Sequence, residues 1–230
     1  GNDGLGLFMV PKFLVNADGS IGKRNDVKVV SLEHKLGIHG SPTCVMAYGE
    51  NDGAIAYLVG EEGKGLRNMF TMMNNARLSV GLQGVALAER SYQHALQYAR
   101  DRVQSTKMGD KSGRRVPIIE HVDVRRMLLD MKARVEGVRA LIAKLASHSD
   151  RAAMAHKTGQ GNASYHEGQV ELLTPIVKAY GSDQSFRVCE TAIQTLGGAG
   201  YISDYGIEQY CRDAKIFSIY EGTNHIQAMD

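Results

Sequence analysis

Hydrophobic and polar positions follow two rhythms along this chain, and the change falls near Gly60. Before it, residues 7–10, 13–15, 27–32, 44–48 and 54–59 form short runs rich in β-branched and aromatic side chains, separated by Gly, Asn and Asp. That pattern predicts three to five short, mostly antiparallel strands, with residues 18–22 as a connecting loop. So few strands need a covering face to be stable.

Beyond residues 60–65 the spacing becomes helical. Leu66, Met69, Phe70, Met73, Arg77, Val80, Gly84 and Leu87 recur at steps of three and four, and no proline intervenes before Pro117. This predicts a first helix reaching about Arg102, with small residues (Gly81, Gly84, Ala86, Ala88) that let a neighbour approach closely. A basic polar loop over residues 105–115 follows, then a second helix from about Ile118 past Leu145. Residues 147–168 are polar and poor in large apolar groups, which predicts a mobile connection. A helical stretch follows that Pro175 should kink or begin. Ser182 or Asp183 should cap a further helix that Gly197 and Gly198 stop. A short helix near residues 207–212 precedes the last segment, 216–230. Strands first and four or more long antiparallel helices after argue an α+β protein with a separate helical bundle.

Composition narrows the class. The chain has 230 residues and 43% hydrophobic positions, enough for a real core, and no apolar run is long enough to span a bilayer, so no membrane partner is expected. Twenty-seven Lys and Arg against 25 Asp and Glu leave no global field, which disfavours nucleic acid. Three cysteines without metal-ligand pairing argue against a disulfide framework and favour a reducing, cytoplasmic setting. There is no Gly-x-Gly-x-x-Gly between strand and helix, no P-loop, no His-x-x-x-His pair and no Gly-x-Ser-x-Gly elbow, so no metal site is expected.

Two stretches remain as candidates for chemistry. In the first, Gln194 lies one turn before Gly197, Gly198 and Gly200. Bare backbone with an amide beside it can accept a flat or phosphorylated ligand, or it can be a plain helix end. In the second, Glu221 follows Phe217, Ile219 and Tyr220 and precedes Gly222. A carboxylate stripped of water by such neighbours becomes a stronger base; the alternative is an exposed glutamate opening the last helix.

The run from Arg212 through Ile219, Tyr220, Glu221, Gly222 and Thr223 resembles the catalytic segment of flavin-dependent acyl-CoA dehydrogenases. Gln194 with Gly197, Gly198, Gly200 and Tyr201 resembles that family's second signature. Residues 33–43 resemble the segment crossing its middle β-domain, and Asn74 to Arg77 with the following helix resemble the first helix of its C-terminal bundle. The match is nearest to long bacterial members. It implies a fragment: residues 1–60 as the C-terminal part of the middle β-domain and 61–230 as the C-terminal helical bundle, without the N-terminal helical domain and the start of the β-domain.

The resemblance implies that Glu221 is the general base that removes the α-proton of an acyl-CoA thioester while hydride passes to FAD. It places Gly222, Arg77 and Asn74 at the acyl-CoA, and Arg102, Gln194, Gly197, Gly198, Thr223 and His225 at the flavin, the Gln194 group and Arg102 reaching a neighbouring subunit's flavin. On pattern alone Arg102 reads as a solvated arginine at a helix end. Also implied are a dimer or dimer of dimers and an electron-transfer flavoprotein as electron acceptor. The departures are Val122 and His225 where glutamines are common, Asn74 where an aspartate is usual, and Ala76 where isovaleryl- and long-chain-type members carry their base. Three other readings compete: a flavin oxidase or nitroalkane oxidase on the same fold, a DNA-binding relative, and an inactive assembly domain.

Overall fold

A computed structural model describes residues 4–230, which divide into two compact units, one ending at Asn75 and the other spanning Ala76–Asp230. In the first unit β1 (Phe8–Met9) pairs antiparallel with β6 (Tyr57–Leu58), β2 (Phe13–Val15) with β3 (Ile21–Arg24), and β4 (Val27–Leu32) with β5 (Cys44–Tyr48). These are three separate two-stranded ladders rather than one sheet. Ile21 to Arg24, read partly as loop, is the return strand of a hairpin whose turn carries Gly19 at φ +83°. No apolar side chain of this unit is buried among the described residues; its fixed point is polar. Asn25, 5% exposed, donates from Nδ2 to the Pro11 and Ile55 carbonyls and accepts from the Ile55 N–H, clamping three segments.

Three long helices follow: α1 (Gly65–Asp101), α2 (Val122–Thr158) and α3 (Ala163–Leu196). A hairpin of β7 (Val103–Thr106) and β8 (Arg115–Pro117) joins α1 to α2, so the expected loop is only the tip between two paired strands. After α3 come α4 (Ile207–Ala214), a 3-10 turn at Lys215–Ser218, and α5 (Asn224–Met229). In the second unit the core lies where the three long helices meet: Val85, Ala88, Ala95 and Ala99 of α1, Leu128, Met131, Val135 and Val138 of α2, and Val188, Ala192 and Leu196 of α3. The alanines and glycines on α1 allow backbone-to-backbone approach. A methyl added at Gly84 would stand 3.0 Å from the Gly181 carbonyl oxygen, and one at Gly81 2.5 Å from a Val177 methyl. These pairs, with Ser91 Oγ 3.2 Å from Cys189 Sγ, run in the same direction along both helices, so α1 and α3 are parallel. The bundle is up, down, up, with three long helices rather than four antiparallel ones. Burial pushes the Cys189 thiol up to about 12, which keeps it a packing group rather than a nucleophile.

Three sequence expectations are corrected here. The stretch predicted to be mobile is helix on both sides of a short break at residues 159–162, closed by Gly159 in the left-handed conformation and by Asn162, whose side chain accepts from the Tyr165 N–H. Polar, alanine-rich sequence is helix-competent, and here it needs only Ala152 and Ala155 facing inward. Pro175 lies well inside α3 and does not begin it. The carbonyl it leaves without a helical donor belongs to Glu171, which is exposed and therefore open to water. Ser182 caps nothing: its hydroxyl bonds the Lys178 carbonyl within the same helix and reaches Asn224.

At the α2–α3 junction the Nδ1 atoms of His148 and His166 are 3.0 Å apart, one donating and one accepting. Burial and then His166 hold the His148 imidazole below its ordinary value. Below the unfolded value of about 6.5, the unfolded chain takes up a proton that the folded one resists, so stability is lost as pH falls through that interval. The thermal midpoint is expected to drop between pH 7 and pH 5, and to drop less in His166→Gln. Equal pH slopes in the two proteins would remove the pair as the cause.

Candidate active site

Glu221 occupies the tight turn between the 3-10 segment and α5, with φ at +55°, and Gly222 continues at +83°. A non-glycine residue in this region costs about 1–2 kcal/mol, and it persists where surrounding contacts over-determine it. Those contacts are present. Lys178 of α3, 0% exposed, donates from Nζ to the Gly222 carbonyl at 2.6 Å and to Asn224 Oδ1 at 3.1 Å. Gln227, also buried, donates from Nε2 to the Glu221 and Gly222 carbonyls at 3.4 and 3.3 Å. Asn224 is itself held by donating to Asp183 Oδ1 at 2.7 Å and to the Ala179 carbonyl. Thr223 caps α5 by accepting from the Ile226 N–H. A side chain at Gly222 would be strained by its φ and would stand 2.7 Å from Gln227 Nε2, so the turn demands glycine.

Arg77 of α1 completes the surroundings. It is 6% exposed, its Nη1 lies 2.7 Å from Asp230 Oδ2, and its Nη2 is 3.7 Å from the direction a Gly222 side chain would take. Arg77 Nε and Gln227 Oε1 are buried without a partner among the described residues. Glu221 is half-buried, but the expected apolar enclosure is one-sided. Phe217 enters the core with Val80, Cys189 and Ala214 and stacks against Tyr220, whose hydroxyl donates to Gln83 Oε1 at 2.6 Å. Ile219 is 52% exposed, because the 3-10 geometry turns it away from that core. The other near neighbours are cations. Burial, then Arg77, holds Lys178 below the ordinary lysine value, while Asp183 and Glu221 pull it back up. Burial, then Glu221, raises Tyr220.

A second group of candidates lies elsewhere in the same unit. Gln194 is sixteen residues beyond Lys178 on α3, about 24 Å along the axis at 1.5 Å per residue. It is exposed, Gly197 ends the helix at φ +60°, and side chains added at Gly197 or Gly198 would meet nothing within 4 Å. Arg102 follows the last residue of α1 at that same end of the parallel pair and is exposed. The structure therefore gathers Glu221, Gly222, Thr223 and Arg77 at one place and Gln194, Gly197, Gly198 and Arg102 at another. His225 is exposed on α5 and Asn74 is exposed on α1. A concavity of 310 Å³ in the first unit, around Asn25, Asp26 and Asn51, includes none of these residues.

Residues 63–230 match the family model for the acyl-CoA dehydrogenase C-terminal domain. The chain belongs to the acyl-CoA dehydrogenase family. It is 49% identical over 99% of its length to 3-methylmercaptopropionyl-CoA dehydrogenase of Ruegeria pomeroyi, and 45% identical over its whole length to a broad-specificity linear acyl-CoA dehydrogenase of Mycobacterium tuberculosis. It spans 38% of the length of each. Among solved structures, Caenorhabditis elegans ACDH-11 in complex with C11-CoA superposes on the entire chain with a TM-score of 0.82 at 25% identity, over 35% of that chain. The mostly helical architecture with small antiparallel ladders is thus that of acyl-CoA dehydrogenases.

Sequence reasoning missed four members of this turn: Lys178, Ser182, Asn224 and Gln227. A signal existed for the first. Lys178 shares the helical stripe of Thr174, Gly181, Ser182 and Ser185, all buried, and a lysine on an inward face requires acceptors.

Proposed function

We propose that this chain is the C-terminal portion of an enzyme that dehydrogenates a linear acyl-CoA thioester between its α and β carbons, with Glu221 as the proton acceptor. The observation that carries the reading is the Glu221 turn: a carboxylate on a backbone held in the left-handed region by buried donors on two sides. Glu221 takes the α-proton onto a carboxylate oxygen. Backbone N–H groups of a rigid turn can meet the charge that develops on the thioester oxygen at no reorganisation cost. Gly222 lets the chain turn at positive φ directly after the base and places its backbone at the acyl-CoA, and Arg77, with its buried and unpartnered Nε, lines the acyl-CoA site, with Asn74 as a further contact. Ala76 supports Glu221 as the base, because the alternative position carries no carboxylate. The names of the two relatives support a linear acyl chain.

The second cluster fits FAD. An exposed amide, two glycines presenting open backbone and an always-charged guanidinium match the edge of a flavin ring and a pyrophosphate. Gln194, Gly197, Gly198 and Arg102 would hold it, together with Thr223 and His225 from the catalytic end. Bound FAD would supply the acceptor for the β-hydride. The separation of the two clusters, with Lys178 and Gln194 roughly 24 Å apart along the α3 axis, supports a homo-oligomer in which one copy's Gln194 end serves the other's Glu221 end. An electron-transfer flavoprotein is the proposed electron acceptor, and the part of the longer relatives that this chain does not span would cover the apolar strand faces of residues 8–58.

The test is turnover of linear acyl-CoA by the parent protein, against nitroalkanes and against oxygen consumption; nitroalkane turnover without acyl-CoA turnover would overturn the reading. For the cofactor cluster, Arg102→Ala is expected to weaken FAD retention about 10–100-fold, the worth of one charge-assisted phosphate contact. Flavin absorbance after gel filtration measures it, and undiminished flavin content would remove Arg102 from the site.

A further inference from the structure

We propose that Lys178 is a positioning residue for proton transfer: its buried ammonium ties the Gly222 carbonyl and the Asn224 side chain to α3, and so fixes the backbone from which the Glu221 carboxylate projects. The proposal rests on the reading of Glu221 as the base. Its starting point is the oddity of the group itself. Lys178 is 0% exposed on a helix face shared with Thr174, Val177, Gly181 and Ser185, where a methionine or leucine would pack without desolvating a charge. Its partners are not those of an ion pair. Both acceptors it reaches, Gly222 O at 2.6 Å and Asn224 Oδ1 at 3.1 Å, belong to the turn and to the first residue of α5.

The charged groups around it point the same way. Arg77 from α1 opposes the ammonium, and Arg77 is itself matched by Asp230. Asp183, the nearby carboxylate of α3, accepts from Asn224 Nδ2 at 2.7 Å and so braces the residue that Lys178 holds. Ser182 Oγ stands 3.1 Å from the Asn224 Oδ1 that Lys178 also reaches, a second donor to that oxygen. Lys178, Ser182 and Asp183 therefore converge on two residues that follow Glu221, and Gln227 closes the turn from the α5 side. Two successive residues at positive φ would otherwise relax, because a non-glycine residue rarely stays there unaided. The burial that lowers the ammonium's proton affinity also strengthens its hydrogen bonds, since no water competes for the Gly222 carbonyl.

The experiment uses the parent protein with bound flavin and compares Lys178→Met, Asn224→Ala and Glu221→Gln. Lys178→Met keeps the stem and removes the ammonium. It is expected to lower kcat about 100-fold, the effect of a displacement of roughly 1 Å at the reacting group, with KM for acyl-CoA within about threefold and flavin content unchanged. Asn224→Ala, nearer the surface, is expected to lower kcat about tenfold with the same split, and it decides the matter if Lys178→Met fails to accumulate as folded protein. A kcat within twofold of wild type in the folded Lys178→Met protein, or in Asn224→Ala when that variant decides, overturns the proposal. So does a KM increase with kcat preserved. The underlying reading is judged separately: if wild type does not turn over acyl-CoA, or Glu221→Gln does so undiminished, the base is wrongly assigned whatever Lys178 does.

Discussion

Glu221→Gln in the parent protein is expected to lower kcat for acyl-CoA dehydrogenation by roughly 10⁴-fold, the upper end of what a positioned general base contributes, with flavin and acyl-CoA still bound. The amide keeps the shape of the side chain and loses the proton acceptor. The turn should survive the change, because among the described residues the hydrogen bonds that hold it go to backbone oxygens and neighbouring side chains, with Lys178 and Gln227 bonding the carbonyls of Glu221 and Gly222, while the carboxylate adds a through-space attraction to Lys178. Steady-state rates, with a parallel titration of acyl-CoA by flavin absorbance, separate chemistry from binding. Loss of rate accompanied by loss of flavin would mean that the substitution had disturbed the fold, and residual turnover above about one per cent of wild type would place the base elsewhere.

The second large effect concerns the bundle. Gly84→Val should destabilise the protein by about 3 kcal/mol, the upper range for forcing extra methyls into packed structure. A Cβ at Gly84 already stands 3.0 Å from the Gly181 carbonyl oxygen and 3.5 Å from Ser185 Cβ, so the branches of a valine push against backbone and a Cβ fixed to it. The gap between α1 and α3 must open, and α3 carries Lys178 three residues before Gly181. At 2–4 °C per kcal/mol the thermal midpoint is expected to fall by roughly 6–12 °C. Gly137→Ala makes the contrast on α2: that glycine is exposed with nothing within 4 Å, so the added methyl is expected to stabilise by up to about 1 kcal/mol. Equal midpoints for the two variants would show that close packing of α1 on α3 contributes little.

Local pattern carried much of this architecture. The strands at residues 27–32 and 44–48 and the end of the first helix within a residue of Arg102 follow from side-chain type and spacing alone. So does the stop at Gly197, where a left-handed backbone is needed. The errors have a common physical origin. Ser182, Asp183 and Pro175 carry the local signals of a helix start, yet α3 runs through all three. Ser182 has a better partner in the Lys178 carbonyl, and the carbonyl freed by Pro175 is open to water. Residues 147–158 are poor in large apolar groups, with Met154 exposed and Ala152 and Ala155 turned inward, which a count of hydrophobic residues reads as loop. The β7–β8 hairpin is a short register between polar strands, below what alternation can reveal.

At the candidate site, the resemblance of their neighbours in sequence to a family segment is what singles out Glu221 and Gly222. The environment of Glu221 was not legible, because it is made by residues distant in sequence. Lys178 lies 43 positions earlier and Arg77 far earlier still, so a carboxylate expected among aromatic side chains sits instead in a turn braced by the buried Lys178, with the buried Arg77 beside it. Phe217 and Tyr220 are where apolar spacing predicts, against one another, while Ile219 is carried outward by the 3-10 segment.

Exchange of the α-hydrogens of a bound acyl-CoA with deuterated water, followed under anaerobic conditions in wild type and Glu221→Gln, isolates the proton-abstraction step from everything that comes after it. Wild type is expected to wash deuterium into the α-carbon on the timescale of turnover, and Glu221→Gln to show none above the enzyme-free rate. Equal incorporation in the two proteins would contradict Glu221 as the proton acceptor.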